Sequence, residues 1–216
     1  MSNPTFFDRI RIKLDLWRKQ YLSSPSVYVL MYHHVCQPYE DPRHPANKIL
    51  VTPGHFRKQM RYLKENFSIA STDLFYKSPE RLEEASEPVV MVTFDDGYRN
   101  ILENVSPVMK KHSIPFTVFV TSGYVDGDFT PLELVLYEAL TERNQLKIRF
   151  DGEEQLFPCG TDTEFNRSLK ELYTRAKPCP PERREELYEQ LPDSEGNTTK
   201  SNRDIFLSWD ELRQIK

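Results

Sequence analysis

Two adjacent carboxylates, Asp95 and Asp96, follow six residues suited to a buried strand in the stretch Val89–Tyr98, VVMVTFDDGY. Side-by-side acids at a strand end repel each other and lose hydration unless a cation or a shared proton compensates. Successive side chains leaving a strand point in different directions, so one Asp can face a metal while its neighbour faces the water or substrate on it. Gly97 allows a tight turn and a close backbone approach. The competing reading is local: both acids cap the next helix and its dipole. The preceding apolar run favours chemistry, because α/β sheets and barrels carry their functional groups at the carboxyl ends of strands.

The elements that must position this pair can be read around it. Val27–Tyr32, VYVLMY, is a continuous apolar run, as for a strand covered on both faces. It ends in HHV and a Pro-containing loop through Asn47. Thr52-Pro53 reads as an N-cap followed by proline at the first helical position, and Phe56, Met60, Leu63 and Phe67 give that helix one apolar face. A short strand at Ser68–Ser71 and a short helix from Thr72 follow, then a charged surface linker, KSPERLEEASEP. Ile101–His112 reads as a helix that starts near Ser106 or kinks at Pro107. IPFTVFVTSG is a further apolar strand ended by Gly123. This strand–helix alternation is an α/β pattern with parallel strands.

After Tyr124 the rhythm changes. Pro131–Arg143 reads as a helix, LKIRFDGEEQLFP as a hairpin turning at Asp151-Gly152, and Thr163–Lys177 and Glu182–Gln190 as two charged helices. A polar loop, DSEGNTTKSN, follows, and Ser208 with Glu211 forms a capping box that opens a last helix. The expected organisation is an amphipathic helix in 1–26, a first α/β section in 27–123, an insertion or lid in 124–206, and a return to the first section in 207–216. Phe129, Tyr137, Phe150, Phe157, Phe165, Tyr173 and Tyr188 of the insertion serve its own small core in preference to stacking on sugars.

The motif TFDDGY resembles the first motif of the polysaccharide deacetylases, carbohydrate esterase family four. LMYHHV, VTPGHFRKQMRYLKENFSIAS and IPFTVFVTSGYV resemble the segments that many bacterial members place around it, so the likeness covers roughly residues 27–125. The resemblance implies an incomplete (β/α) barrel carrying an α-rich insertion. It also implies hydrolysis of N-acetyl, sometimes O-acetyl, groups on a bacterial surface or lipid-linked glycan. By the same resemblance Asp95 matches the general base and Asp96 a ligand of a divalent ion, most often zinc, while a histidine protonates the departing amine. The family's remaining metal ligands lie in a His-[Ser/Thr]-x-x-His-Pro motif that this sequence lacks; its histidines are His33, His34, His44, His55 and His112. Since SWDELRQIK resembles the helix before that motif, the chain is expected to be truncated just short of it and inactive alone, with self-association through an unpaired sheet edge.

His33, at the first strand's end, is a candidate for positioning substrate or Asp95, or equally a strand-end residue with a local hydrogen bond. His34, facing the other way, is expected to make only a local contact, and His44, His55 and His112 carry no assigned chemistry. Tyr98 is a candidate for binding the glycan. Two other classes compete: a non-catalytic remnant or carbohydrate-binding module, and an Mg²⁺-dependent phosphohydrolase. The last is disfavoured because its usual Asp-x-Asp pattern is absent.

A formal net charge of −4 in 216 residues gives no basis for nucleic-acid binding. Three cysteines without metal-type spacing, and no apolar leader or membrane-length run, suit a reduced, cytoplasmic setting; a Cys159–Cys179 disulfide is the alternative for two of them. Residues 5–21 place Phe6, Phe7, Ile10, Leu14, Trp17 and Tyr21 at helical spacing among basic residues. Such a helix can touch an anionic membrane peripherally or pack on protein, and Asp8 and Asp15 favour the second.

Overall fold

A computed structural model describes residues 27–85, 88–150, 152–192 and 205–215. The amphipathic segment within 1–26, Asp151 of the hairpin turn and the loop 193–202 lie outside the described residues. The described residues divide into two compact units, one within 27–37, 49–121 and 210–215 and the other within 38–48, 122–192 and 205–209.

The first unit is built on a parallel sheet. Strand β1 (Val27–Tyr32) pairs with β5 (Val89–Phe94) along its whole length, from Val27 opposite Val89 to Tyr32 opposite Phe94. On the other side of β5, β4 (Ser68–Ile69) pairs with Val89–Val90 and β6 (Thr117–Val118) with Thr93–Phe94. A two-strand parallel pair, β2 (His34–Val35) with β3 (Leu50–Val51), stands apart. The α/β class with an incomplete barrel is what the described residues form: an open four-stranded parallel sheet that does not close.

Every residue of β5 is buried, as suits a run in which Thr93 alone is not apolar. Helix α1 (Pro53–Asn66) begins where Thr52 accepts a hydrogen bond from the His55 amide, and it buries Phe56, Met60 and Leu63. Phe56 meets Phe94 edge-on at 5.9 Å, and Tyr32 stacks on Phe94 at 5.4 Å. Ser71 caps the short helix α2 (Thr72–Lys77), and the charged linker holds one helical turn, α3 (Glu80–Glu83), which buries Leu82. Pro107 is accommodated by a change of helix type. Ile101–Val105 winds as a π-helix and α4 (Ser106–His112) starts anew, so the proline falls in a first turn that needs no N–H from it.

Two expectations are corrected. β1 is not covered on both faces: Val29 is 57% and Met31 60% exposed, two alternate residues that point to the same face of the strand. The strand expected through Gly123 enters the ladder only at Thr117 and Val118. Phe119 is 51% exposed, and Ser122–Asp126 turns into a helix, α5.

In the second unit, α6 (Leu132–Leu140) and α7 (Asp162–Ala176) pack together beside the antiparallel hairpin β7 (Gln145–Phe150) and β8 (Glu153–Pro158), with α8 (Pro181–Gln190) against β7. The hairpin register puts Phe150 opposite Glu153, leaving the two-residue turn that the sequence indicates. Thr161 and Glu164 form a reciprocal capping box at the start of α7. Leu136, Leu140, Ile148, Phe157, Phe165 and Leu172 fill one core. The loop after β2 joins this unit: Asp41 holds Arg43 through both carboxylate oxygens and accepts from the Tyr137 hydroxyl at 2.9 Å. All three cysteines are free thiols, which excludes a Cys159–Cys179 bridge in this structure.

Candidate functional site at the end of strand β5

The β1–β5 ladder extends one residue past Phe94, where the Asp95 amide donates to the Tyr32 carbonyl at 2.9 Å. Pairing then stops because the backbone turns left-handed at two consecutive residues, Asp96 with φ 67° and Gly97 with φ 76°. A non-glycine residue in that region is strained by about 1 kcal/mol or more. Gly97 is required sterically as well, since a Cβ there would stand 2.9 Å from Val120 Cγ1. The turn sends both carboxylates to the carboxyl end of the sheet, half-buried.

His33, in the single residue between β1 and β2, brings Nε2 to 4.0 Å from Asp96 Oδ2. Burial raises the Asp96 carboxyl above its ordinary value; the neighbouring His33 opposes this, the Asp95 charge adds to it, and the polar Tyr98 hydroxyl opposes it slightly. Asp95, Asp96 and His33 are therefore brought together. Tyr98 sits differently from a side chain offered to a glycan: it is 7% exposed, and its ring lies against that of His34 with centroids 3.6 Å apart. It belongs to the buried packing next to the acid pair.

Sequence reasoning did not find the buried residues packed around Tyr98. His34 is 3% exposed, and its Nδ1 lies 3.0 Å from the Asn100 side-chain nitrogen. Asn100 Oδ1 accepts from the Val35 amide at 2.9 Å, and Asn104 donates to the Val35 carbonyl at 2.9 Å. Nothing in the spacing of His34 and Asn100, 66 residues apart, marks them as partners. Arg99, the next residue after Tyr98, donates from Nε to Glu211 at 2.9 Å and so ties the helix Trp209–Gln214 to the motif. His44 and His55 make local contacts, His44 stacked on Tyr39 at 3.7 Å and His55 Nδ1 at 2.9 Å from the Thr52 hydroxyl.

The donor set was tested against a resident metal. A catalytic zinc takes about three protein ligands, and among the described residues no group of three or more His, Cys, Asp or Glu side chains could hold an ion. Asp96 and His33 stop at two, so the described residues do not fit a metal centre by themselves and no chemical step is assigned to one.

Residues 83–146 match the family model described as polysaccharide deacetylase, which bears out the resemblance read from TFDDGY over the segment that holds the acid pair. The match runs past Tyr124 into residues read from the sequence as insertion. The poly-beta-1,6-N-acetyl-D-glucosamine N-deacetylase of Staphylococcus aureus (strain N315) is 31% identical over 96 residues, 43% of this chain and 32% of that protein. The putative polysaccharide deacetylase YxkH of Bacillus subtilis (strain 168) is 27% identical over 96 residues, 43% of this chain and 30% of that one. The chain thus spans about a third of the length of these curated relatives. Among solved structures, the Streptococcus pyogenes deacetylase PplD, determined with acetate, aligns at a TM-score of 0.43 and 17% identity over 89% of this chain and 80% of that one. IcaB from Ammonifex degensii aligns at 0.39 and 27% over 46% and 40%. At these scores the family likeness rests on the sequence matches.

Proposed function

We propose, from the polysaccharide deacetylase match of residues 83–146, that this chain carries the acid-pair half of a glycan N-deacetylase site. The observation that carries the reading is the Asp95-Asp96-Gly97 turn at the carboxyl end of the buried strand β5, inside the matched segment. The substrate is an acetylated amino-sugar polymer, with the β-1,6-linked N-acetylglucosamine polymer named for the staphylococcal relative as the first to test.

The reaction is hydrolysis of an acetamide: water oxygen bonds to the carbonyl carbon, the C–N bond breaks, and acetate and a free amine leave. Asp95 accepts the proton of the attacking water, as a carboxylate within hydrogen-bond reach can. Asp96 is the carboxylate donor toward a divalent ion, zinc by preference, whose other ligands are not among the described residues. His33, beside Asp96, positions that carboxylate or the sugar. Protonation of the departing amine is assigned to no described residue. With a donor set this short, the 216 residues alone are expected to turn over near background.

A second reading, glycan binding without catalysis, is favoured by one observation, the lack of a three-donor group among the described residues. One assay separates the two. Acetate release from an N-acetylglucosamine oligomer is measured with zinc, cobalt or nickel supplied, for this chain and for the product of its gene. The expected result is metal-stimulated release by the gene product that Asp95→Asn abolishes while sparing bound metal, and that Asp96→Ala abolishes together with the metal. Glycan retention without acetate selects the binding module. No acetate and no retention under any metal overturns both.

A further inference from the structure

Three parallel strands end at one level around the acid pair, and their register fixes what stands beside Asp95. Tyr32 lies opposite Phe94, and Phe94 opposite Val118. The residues one step further, His33, Asp95 and Phe119, therefore form a row across the carboxyl edge of the sheet. Two backbone hydrogen bonds hold that row: the Asp95 amide donates to the Tyr32 carbonyl at 2.9 Å, and the Phe119 amide to the Phe94 carbonyl at 2.7 Å. The second carbonyl belongs to the peptide unit that joins Phe94 to Asp95. Neighbouring strands lie about 5 Å apart, so Phe119 flanks Asp95 directly. The face is fixed as well. Tyr32 and Phe94 meet Phe56 of α1 at 5.5 and 5.9 Å, and Phe116 meets Phe94 edge-on at 5.7 Å. Side chains alternate along a strand, so His33, Asp95 and Phe119 leave on the face opposite those rings.

We infer that Phe119 is a substrate-binding residue whose ring stacks on the C–H face of the N-acetylglucosamine unit that presents its acetamide to Asp95. The inference rests on the deacetylase reading proposed above and names the part of the site that grips the sugar. On the α1 face Phe56 and Phe94 are buried, whereas Phe119 is 51% exposed beside two carboxylates. Its place is nonetheless rigid, because its amide is bonded to Phe94 and the next residue, Val120, packs against Gly97. A β-linked glucosamine ring carries its substituents equatorially, so each broad face is a patch of axial C–H groups that suits a flat apolar ring. The row thus divides the work as ligand sites commonly do: Asp95 and His33 meet the polar acetamide and its water, and Phe119 meets the apolar sugar face. Losing a stacked contact of roughly 55 Å² of apolar area corresponds to about 10-fold in binding.

The test combines a readout that needs no activity with one that does. A β-1,6-linked N-acetylglucosamine oligomer is added to the 216-residue chain, and its C–H proton resonances are followed by NMR. The ring current of Phe119 should move them upfield in the parent and in Phe119→Tyr, which keeps a flat ring. Phe119→Leu keeps apolar cover over the sheet but has no ring, so the upfield shifts should vanish; a purely structural phenylalanine would tolerate that change. Phe119→Met is the second ringless variant should Phe119→Leu fail to fold. In acetate release by the gene product, the ringless variants should raise KM about 10-fold with kcat within about twofold, and Phe119→Tyr should stay near the parent. Upfield shifts as large in the ringless variants as in the parent overturn the inference. Upfield shifts without acetate release in the parent keep the stacking and remove the deacetylase reaction. Acetate release with an unchanged KM in the ringless variants keeps the reaction and removes the stacking. Neither shifts nor acetate in the parent removes both.

Discussion

Gly97 lies directly against Val120, close enough that a Cβ added to it would meet Val120 Cγ1 at 2.9 Å. The contact joins the turn that presents the acid pair to the segment following β6. Gly97→Ala meets two penalties, the left-handed φ of 76° and the overlap. Together they should lower stability by about 2–4 kcal/mol. Val120→Ala in the same chain should recover only the overlap part, since it cannot change the backbone angle. Urea unfolding of the single and double variants measures both; a double variant as stable as Val120→Ala alone would refute the φ contribution.

The stability of the second unit should depend on Asp41 in a pH-specific way. The Arg43 guanidinium, with help from the Tyr137 hydroxyl, holds the Asp41 carboxyl well below its ordinary value of 3.8. A depressed carboxyl contributes stability above the unfolded-state value and loses it as pH falls toward the folded one. Asp41→Asn should therefore cost about 1 kcal/mol at pH 7, a modest figure because water reaches 24% of the side chain. The gap between parent and variant should narrow as the pH drops below 3.8. Melting curves at pH 7 and at about pH 3 check the sign; a gap that widens in acid contradicts it.

The free side of β1 carries a prediction about assembly. Val29 and Met31 are largely exposed on a strand paired with β5 alone among the described residues. Unpaired parallel edges with apolar faces recruit further strands. The 216-residue chain should therefore associate as its concentration rises, and Met31→Lys should shift sedimentation profiles toward monomer without lowering the melting temperature by more than a few degrees. A parent that stays monomeric throughout the accessible range is the contrary result.

Helix α7 offers a local test. Thr161 accepts from the Glu164 amide, and the Glu164 side chain accepts in return from the Thr161 amide at 3.1 Å. Thr161→Ala should cost about 1 kcal/mol and Thr161→Ser much less. Equal losses for the two would mean that the threonine methyl, and not the cap, supports the helix.

Much of this architecture is legible in the sequence because it follows from short-range chemistry. Thr52-Pro53 specifies a helix start, and the six strand-forming residues before Asp95 specify a strand buried on both faces; the Thr161–Glu164 capping box, by contrast, is not read from the sequence, which predicts that helix only from Thr163. The Asp151-Gly152 pair between alternating residues specifies a two-residue hairpin turn. The acid pair itself, and the position at which it must emerge, are equally visible, since an apolar run ending in two carboxylates and a glycine has few other uses.

What the tertiary structure alone decided depends on partners distant in the chain. The apolar pattern of Val27–Tyr32 is that of an interior strand, yet burial is set by what packs on each face of the sheet, and Val29 and Met31 are left largely exposed. The run after Pro115 has strand propensity throughout, but only the two residues that reach β5 keep it. The loop 38–48 belongs to the second unit because Asp41 finds Tyr137, 96 residues away. His34 meets Asn100, which arrives from beyond the DDG turn, 66 residues away. Propensity and capping act over one or two turns and can be read residue by residue; pairing across the fold is settled only when burial brings those residues together.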